Sequence, residues 1–341
     1  MTNREGTPKV SIVITTCDSE KFVSDCINSV MNLDYPQDQL EVIVVDDAST
    51  DGTFDLVKQL KEIHPDVNVK LFRNEKRSGT AVSKNFGIGV AENEYVASVD
   101  SDVALTPSWL RALVPELQDT LVAAAGGMIC TYPAEELVSR LAGYELEYRY
   151  THLKAKSVDK VSSANTIYKK SLLQKIGLFP SDLINGEDTF VSYRFRDLGY
   201  KLVINKEAIC YHRWKATLRD YLRQQFFNAY GKSLVNWKLG GGRILGDKIS
   251  SWKMIVHVPL TMALLVSLFA SLFQPLILSV SVILFFIILS LSIPAAIWIF
   301  KSKREKHGFF LPFIAVLRNL SWLLGSIYGI IQIFTGLPKQ A

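Results

Sequence analysis

Residues 252–337 limit most tightly what this chain can fold into. They form three long apolar segments, whereas residues 1–250 are mixed in composition. A helix needs about 20 apolar residues to cross a hydrocarbon core. Segments 252–273 and 275–300 each reach that length. The link between them is Gln274 and its neighbours, uncharged and very short, which predicts a helical hairpin. Core helices of a soluble protein are excluded on length. The hairpin is followed by Lys301-Ser-Lys-Arg-Glu-Lys-His307, and the positive-inside rule puts so basic a loop in the cytoplasm. The third segment, 309–337, is long enough to span at about 310–336 but carries Arg318 and Asn319. An arginine at a helix centre costs about 2.5–3.5 kcal/mol on insertion scales. Arg318 is therefore expected to snorkel, to pair, or to mark an interfacial or re-entrant piece.

The stretch MTNREGTPKV has no apolar run of the secretory type. The first domain is accordingly expected in the cytoplasm, on the side where the basic loop falls. The two readings are independent and agree on an integral membrane protein with its soluble part inside. Cys17, Cys26, Cys130 and Cys210 show no metal-ligand spacing and read as core thiols in a reducing compartment. The net charge is +5. With no long basic stripe it argues against nucleic acid as a partner and suits an anionic bilayer face.

Before the apolar tail, short β-branched runs alternate with helical periodicity. Residues 9–15, 40–46, 67–72 and 94–99 read as strands. Residues 19–33, 53–64 and 78–92 read as helices. This βαβαβαβ order predicts an α/β domain with a mostly parallel, Rossmann-like sheet. Such sheets bind ligands at the carboxyl ends of their strands. Three acidic or small polar clusters fall there: 15–18, 46–51 and 100–102. Further on, 161–168 and 200–209 read as strands, 170–176 and 186–198 as helices.

Asp100 and Asp102 flank Ser101 at the end of an apolar strand. Alternate residues of a strand share a face, so both carboxylates can meet one site. Two like charges this close call for a divalent cation, and Mg²⁺ or Mn²⁺ favours such oxygens together with substrate phosphates. A solvated strand-to-loop turn is the plainer reading of the bare motif. Val44-Val-Asp-Asp-Ala-Ser-Thr-Asp-Gly-Thr53 also ends a strand with paired aspartates. The carboxylate of Asp47 can accept a hydrogen bond from a base edge, while Ser49-Thr-Asp-Gly shapes a turn and a helix cap.

Four motifs in order, Val-Ser-Ile-Val-Ile-Thr-Thr at 10–16, the 44–53 stretch, Asp-Ser-Asp at 100–102 and Gly-Glu-Asp at 186–188, resemble the family-2 glycosyltransferases over about residues 8–235. The resemblance implies a GT-A fold, a nucleotide-diphospho-sugar donor (UDP or GDP) and inverting chemistry with Mn²⁺ or Mg²⁺. By position it implies that Thr15, Asp46, Asp47, Arg77, Lys84, Asp100 and Ser101 bind the nucleotide sugar. It makes Asp102 a metal ligand, with Asp100 and His212 as further candidates. Asp188 matches the catalytic base, with Glu187 beside it. A structural histidine at a strand end is an equal reading of His212.

Three departures matter. Thr15-Thr-Cys-Asp18 stands where the family often has Pro followed by Tyr-Asn, so a tyrosine that stacks on the base is absent. Lys84-Asn85 replaces Arg-Asn, which keeps the charge and loses a bidentate donor. The Gln-x-x-Arg-Trp motif of polymer synthases is missing; Arg223-Gln-Gln-Phe-Phe occupies that region.

The chain thus divides into a catalytic domain at 1–213, an amphipathic interfacial region at 214–250 and a membrane domain at 251–341. In and beside 214–237, Arg213, Lys215, Arg219, Arg223 and Lys232 are expected to meet lipid phosphates. Phe226, Phe227 and Tyr230 are expected at the acyl boundary; a helix packed on the core with solvated charges is the alternative. The Gly-Glu-Asp motif favours a hydroxyl acceptor, which needs a base, on a polyprenyl-linked glycan. A lipid phosphate is already anionic and needs none, so a polyprenyl-phosphate sugar synthase is the second reading. A nucleotidyltransferase would show a Gly-rich loop after the first strand, and residues 15–20 hold no glycine. A scaffold without turnover remains the distant alternative.

Overall fold

The computed structural model describes residues 6–336 except 66, 242–247 and 250. The first five residues, part of the 214–250 region and Leu337, where the sequence reading ends the third apolar segment, lie outside the described residues.

The first half follows the predicted alternation: β1 (Val10–Thr16), α1 (Val23–Met31), β2 (Leu40–Asp46), α2 (Thr53–Ile63), β3 (Asn68–Arg73), α3 (Thr80–Val90) and β4 (Tyr95–Asp100). β1 and β2 are buried at every residue, as uninterrupted apolar runs inside a helix-covered parallel sheet must be. β1 pairs in parallel with β2 and β4, which sets Thr15 level with Val45 on one side and Asp100 on the other. The acidic strand ends therefore form one rim. α3 lies close over the sheet because Gly87 has no side chain: a Cβ there would stand 2.4 Å from Val13 Cγ1.

The second half comprises β5 (Val103–Leu105), α4 (Trp109–Leu113), β6 (Val122–Thr131), α5 (Leu137–Thr151), β7 (Ser157–Val158), β8 (Asn165–Lys169), α6 (Lys170–Lys175), α7 (Glu187–Asp197) and β9 (Lys201–His212). One sheet results, in the order β3-β2-β1-β4-β8-β6-β9-β5, with β7 on β9. β8 runs antiparallel to both β4 and β6, while β6 and β9 are parallel. The sheet is thus parallel where the βα alternation holds and mixed beyond it. Antiparallel β5 on β9 sets Val103 opposite His212, which brings the histidine to the Asp-Ser-Asp turn.

Two compact units emerge. The sheet unit holds residues 1–132 and 154–213, and the second unit holds 133–153 and 214–341. α5 thus leaves the sheet, within the range the sequence reading gives wholly to the catalytic domain, and joins α8 (Leu218–Lys238), α9 (Ser251–Ala270), α10 (Leu278–Ser302) and α11 (Leu311–Thr335). Among the described residues two stretches are long and apolar enough to cross a membrane, Pro275–Ser302 and Lys306–Thr335. The first apolar segment forms α9, whose described apolar part is Met254–Ala270, and the chain turns at Ser271–Gln274. Phe269, Leu276, Phe286 and Phe334 stand exposed on these helices. A patch of such side chains needs an apolar surrounding.

α8 packs along α11 at close range. A Cβ at Gly325 would lie 2.2 Å from the Phe226 carbonyl oxygen, and one at Gly329 would lie 2.8 Å from Ser233 Cβ. Small residues four apart allow this approach. Trp322 Nε1 donates to Gln225 Oε1 at 3.0 Å across the same seam. α5 is tied in by three ion pairs: Arg140 with Glu305 at 2.8 Å, Glu147 with Lys303, and Glu145 with Arg318. Of the three fates open to Arg318 from sequence, pairing is the one observed.

Candidate active site

The rim of the sheet carries the predicted clusters, and each carboxylate has its own environment. Asp46 is fully buried. It accepts from Ser49 N at 3.1 Å and from the Ser49 hydroxyl, and Arg73 Nε lies 3.3 Å from its Oδ2. Its oxygens shape the loop that follows β2, in which Ala48 has φ 54°.

Asp47 holds the entry to α3. Its Oδ1 accepts from Ser78 N at 2.9 Å and Asn74 Nδ2 at 2.7 Å, and its Oδ2 accepts from Gly79 N at 2.8 Å. Gly79 has φ +91°, a conformation open to glycine and strained for other residues. Arg77 sits on the same loop, half-exposed, and ion-pairs with Asp18. Asp18 in turn accepts from Thr50 N at 2.7 Å. Arg77, Asp18, Asp47 and the 49–51 turn thus form one cradle beside Thr15.

Lys84 is the hub of the site. Its side chain is 1 % exposed, and its Nζ lies 3.0 Å from Asp100 Oδ1 and 3.9 Å from Glu187 Oε1. It donates to Ser163 Oγ at 2.6 Å. Burial works against its charge, yet the facing carboxylates of Asp100 and Glu187 win and raise its pKa above the ordinary lysine value. Glu187 shows the converse balance: burial, aided by neighbouring Asp188, pushes its pKa up against the pull of Lys84. The next residue on α3, Asn85, donates to the Phe179 carbonyl at 2.7 Å and accepts from Phe179 N at 3.0 Å. One helix turn therefore fixes both the Asp100 strand end and the loop that leads to Gly-Glu-Asp.

Gly186 is left-handed, φ 89°, at the start of α7. Glu187 and Asp188 occupy the first turn of that helix, where the dipole favours negative charge. Asp188 is half-buried. Its Oδ1 accepts from Thr189 N at 2.6 Å.

Ser101 bonds Ser19 through their hydroxyls at 2.8 Å, which pins the turn between the two aspartates. Asp102 Oδ1 is buried and accepts no hydrogen bond; the imidazole Nε2 of His212 lies 3.6 Å from it. A buried carboxylate oxygen without a donor is costly unless a cation meets it. Among the described residues no group of three or more His, Cys, Asp or Glu is gathered to hold a metal ion. Asp102 and His212 nevertheless fit a cation of the Mg²⁺ or Mn²⁺ kind, which completes its shell with phosphate and water. Asp100 is engaged by Lys84 instead.

The predicted interfacial residues other than Arg213 belong to the helical unit. Arg219 and Arg223 are exposed, and the Arg223 guanidinium lies 5.9 Å from the Phe227 ring centroid. Phe226 packs on Tyr328 at 5.8 Å, and Tyr230 is buried; these two rings belong to the seam with α11. Arg213 lies in the sheet unit, paired with Asp25 and 3.4 Å above the Tyr132 ring. Sequence reading missed Asn74 and Ser163 and gave Asn85 no role of its own; the partners of all three lie outside any local window. No periodicity marks them.

Residues 11–177 match Glycosyl transferase family 2, and residues 95–300 match Glycosyl transferase family group 2. Glycosyltransferase AglE of Haloferax volcanii is 27 % identical over 237 residues, covering 68 % of this chain and 75 % of that protein. A Methanococcus voltae enzyme is 24 % identical over 238 residues, covering 66 % of this chain and 73 % of its own. It is named dolichyl N-acetyl-alpha-D-glucosaminyl phosphate 3-beta-D-2,3-diacetamido-2,3-dideoxy-beta-D-glucuronosyltransferase. The mannosyltransferase PcManGT of Pyrobaculum calidifontis, solved in complex with GDP-Man and Mn²⁺, superposes with a TM-score of 0.62 at 21 % identity, over 95 % of this chain and 87 % of that one. This likeness shows the fold, of the GT-A kind the motifs imply.

Proposed function

The chain belongs to the family-2 glycosyltransferases, and from that premise we propose that it transfers a sugar, with inversion, from a nucleotide-diphospho-sugar to a hydroxyl of a polyprenyl-linked glycan. The observation that carries the reading is the bridge made by Lys84. It joins Asp100, at the donor-side strand end, to Glu187, next to the candidate base Asp188. Donor motif and base motif thus share one buried network, an arrangement useful when both substrates must be aligned in a single displacement.

In this mechanism Asp47 and Thr15 face the base and ribose, and Arg77 lies beside them, ion-paired with Asp18. Asp188 takes the proton from the acceptor hydroxyl. The acceptor oxygen attacks the anomeric carbon from the face opposite the diphosphate. The bond from that carbon to the phosphate oxygen breaks, and its electron pair leaves with the nucleoside diphosphate. Glu187 and Lys84 position the base and keep the charge of Asp100 in balance. Asp102 and His212 would hold Mn²⁺ or Mg²⁺, which when bound supplies charge neutralisation on the diphosphate.

Two features support a membrane-borne acceptor. The helical unit carries two helices long and apolar enough to cross a bilayer, and the Methanococcus voltae relative is named for a sugar on dolichyl phosphate. We place the catalytic unit on the cytoplasmic side because the basic run 301–307 follows the first of those helices. Arg219 and Arg223 then face lipid headgroups.

The test is transfer by the purified chain in detergent, screened over UDP- and GDP-sugars with Mn²⁺ or Mg²⁺. Polyprenyl phosphate and a polyprenyl-linked sugar serve as acceptors, for wild type and Asp188→Asn. The expected result is transfer to the linked sugar that collapses in the variant. Transfer to polyprenyl phosphate that survives the substitution would make the chain a lipid-phosphate sugar synthase.

A further inference from the structure

The two candidate ion ligands belong to different parts of the chain, and little strand pairing joins them. Asp102 precedes β5, and His212 is the last residue of β9. β5 is a three-residue strand at the edge of the sheet, and its pairing with β9 ends at Val103 and His212. Ladder ends of this kind open readily. Adjacent ligands of one octahedral Mg²⁺ stand about 3 Å apart, and Asp102 Oδ1 lies 3.6 Å from His212 Nε2. A frayed strand end would lose that approach.

The residue after His212 carries the tie beyond the ladder. The backbone N–H of Arg213 donates to the Asp102 carbonyl at 3.1 Å, and the N–H of Tyr132 donates to the His212 carbonyl at 3.0 Å. The Arg213 side chain locks this stitching against α1. Its guanidinium carbon lies 3.4 Å from the centroid of the Tyr132 ring and 5.3 Å from that of Phe22. Its Nη2 pairs with Asp25, whose Oδ2 also accepts from the Tyr132 hydroxyl at 3.1 Å. Nη1 is buried and makes no hydrogen bond; the faces of the two rings meet the charge there instead. α1 also touches the other side of the Asp-Ser-Asp turn, where Cys26 Sγ donates to the Asp100 carbonyl at 3.5 Å. Neighbouring residues of one helix therefore tether both the strand end before Asp102 and the strand end at His212.

We propose that Arg213 is a positioning residue of the cation site: clamped by Phe22, Tyr132 and Asp25, it holds Asp102 and His212 together for one divalent ion without touching the ion itself. The inference rests on the cation reading of Asp102 and His212 given above. A lysine could pair with Asp25 but has no plane to lay on the rings.

The test is Mn²⁺ binding by the purified full chain in detergent with UDP or GDP, read by electron paramagnetic resonance against a chain-free control. The rate of sugar transfer is followed over the same range of Mn²⁺. Arg213→Gln and Tyr132→Leu should each weaken Mn²⁺ binding about 10–100-fold, the usual worth of a residue that orients a metal ligand. Arg213→Lys keeps the charge and Tyr132→Phe keeps the ring, and each should lose less. Arg111→Gln breaks the Arg111–Asp34 pair elsewhere in the same unit and should leave Mn²⁺ affinity unchanged. In Arg213→Gln, saturating Mn²⁺ should restore most of kcat. Wild-type Mn²⁺ affinity in both Arg213→Gln and Tyr132→Leu overturns the proposal. So does a kcat that falls while half-saturation by Mn²⁺ stays put, which marks a residue needed only for the fold. Weakening in Asp102→Asn but not in Arg213→Gln would refute this inference and leave the cation reading standing. A wild-type chain that holds no Mn²⁺ would refute the cation reading, and this inference with it.

Discussion

The ammonium of Lys84 lies 3.9 Å from the carboxylate of Glu187 and 3.0 Å from that of Asp100, so two distant motifs depend on one buried cation. Replacing it with methionine leaves Glu187 buried without a counter-charge. Breaking a buried pair from one side costs about 3–5 kcal/mol. Lys84→Met should lower the thermal midpoint in detergent and reduce kcat more than KM. Lys84→Arg should recover most of the stability, because the charge returns.

Asp188→Asn removes the proposed base with little change in shape. The expected fall in kcat is about 10²–10⁴-fold, the usual worth of a positioned general base. Donor KM should change little, and circular dichroism should match wild type. Unchanged turnover would eliminate Asp188 as the base.

A chelator should abolish transfer, and Mn²⁺ or Mg²⁺ should restore it. In Asp102→Asn and His212→Ala, half-saturation by the metal should move to higher concentration, because the buried Asp102 oxygen and the imbidazole beside it are the proposed ligands. Full activity in chelator at the wild-type rate would remove the cation from the mechanism.

Glu41 gives the sheet unit an acid-sensitive element. Burial raises its pKa, but the Glu92 amide, Lys70 and Ser11 outweigh that and hold it below the ordinary glutamate value. A depressed carboxylate stabilises the fold above its unfolded pKa, and that contribution is lost as pH falls through the folded value. Stability should therefore decline below about pH 4. Glu41→Gln should be less stable at neutral pH and show a shallower acid loss, read by unfolding at a series of pH values.

In the helical unit, Gly325→Val places side-chain atoms against the Phe226 carbonyl, 2.2 Å from the Cβ position. The seam between α8 and α11 must open. Overpacking of this kind costs about 1–3 kcal/mol, and more where backbone is the obstacle. A lower thermal midpoint with faster proteolysis within 218–238 is the expected result; wild-type resistance would mean that the seam tolerates separation.

Much of this molecule was legible from local pattern. β1 and β2 are β-branched runs, and the polar or acidic clusters at the ends of β1, β2 and β4 followed from the parallel order alone. β6 was not legible. Its sequence, VAAAGGMICT, lacks the β-branched density of the other strands, since small residues are needed there. A Cβ on Gly127 would stand 2.2 Å from the Ala208 carbonyl oxygen. α5 was missed for a related reason: Glu145 and Glu147 are buried by partners on α10, α11 and the turn after α10, and no window of local sequence contains them. In the site, residue types at strand ends could be read, while the network of Lys84, Ser163 and Asn85 depends on contacts closed only by the tertiary fold.

The excursion of residues 133–153 into the helical unit has a consequence for inheritance. The backbone crosses between the two units after Tyr132, after Leu153 and after Arg213. Deleting everything beyond Arg213 would leave α5 behind, with Arg140, Glu145 and Glu147 stripped of Glu305, Arg318 and Lys303. The tail is therefore not a cassette that can be grafted at one junction. Any exchange of it between relatives would have to carry α5 along, as a second piece spliced into the middle of the catalytic domain.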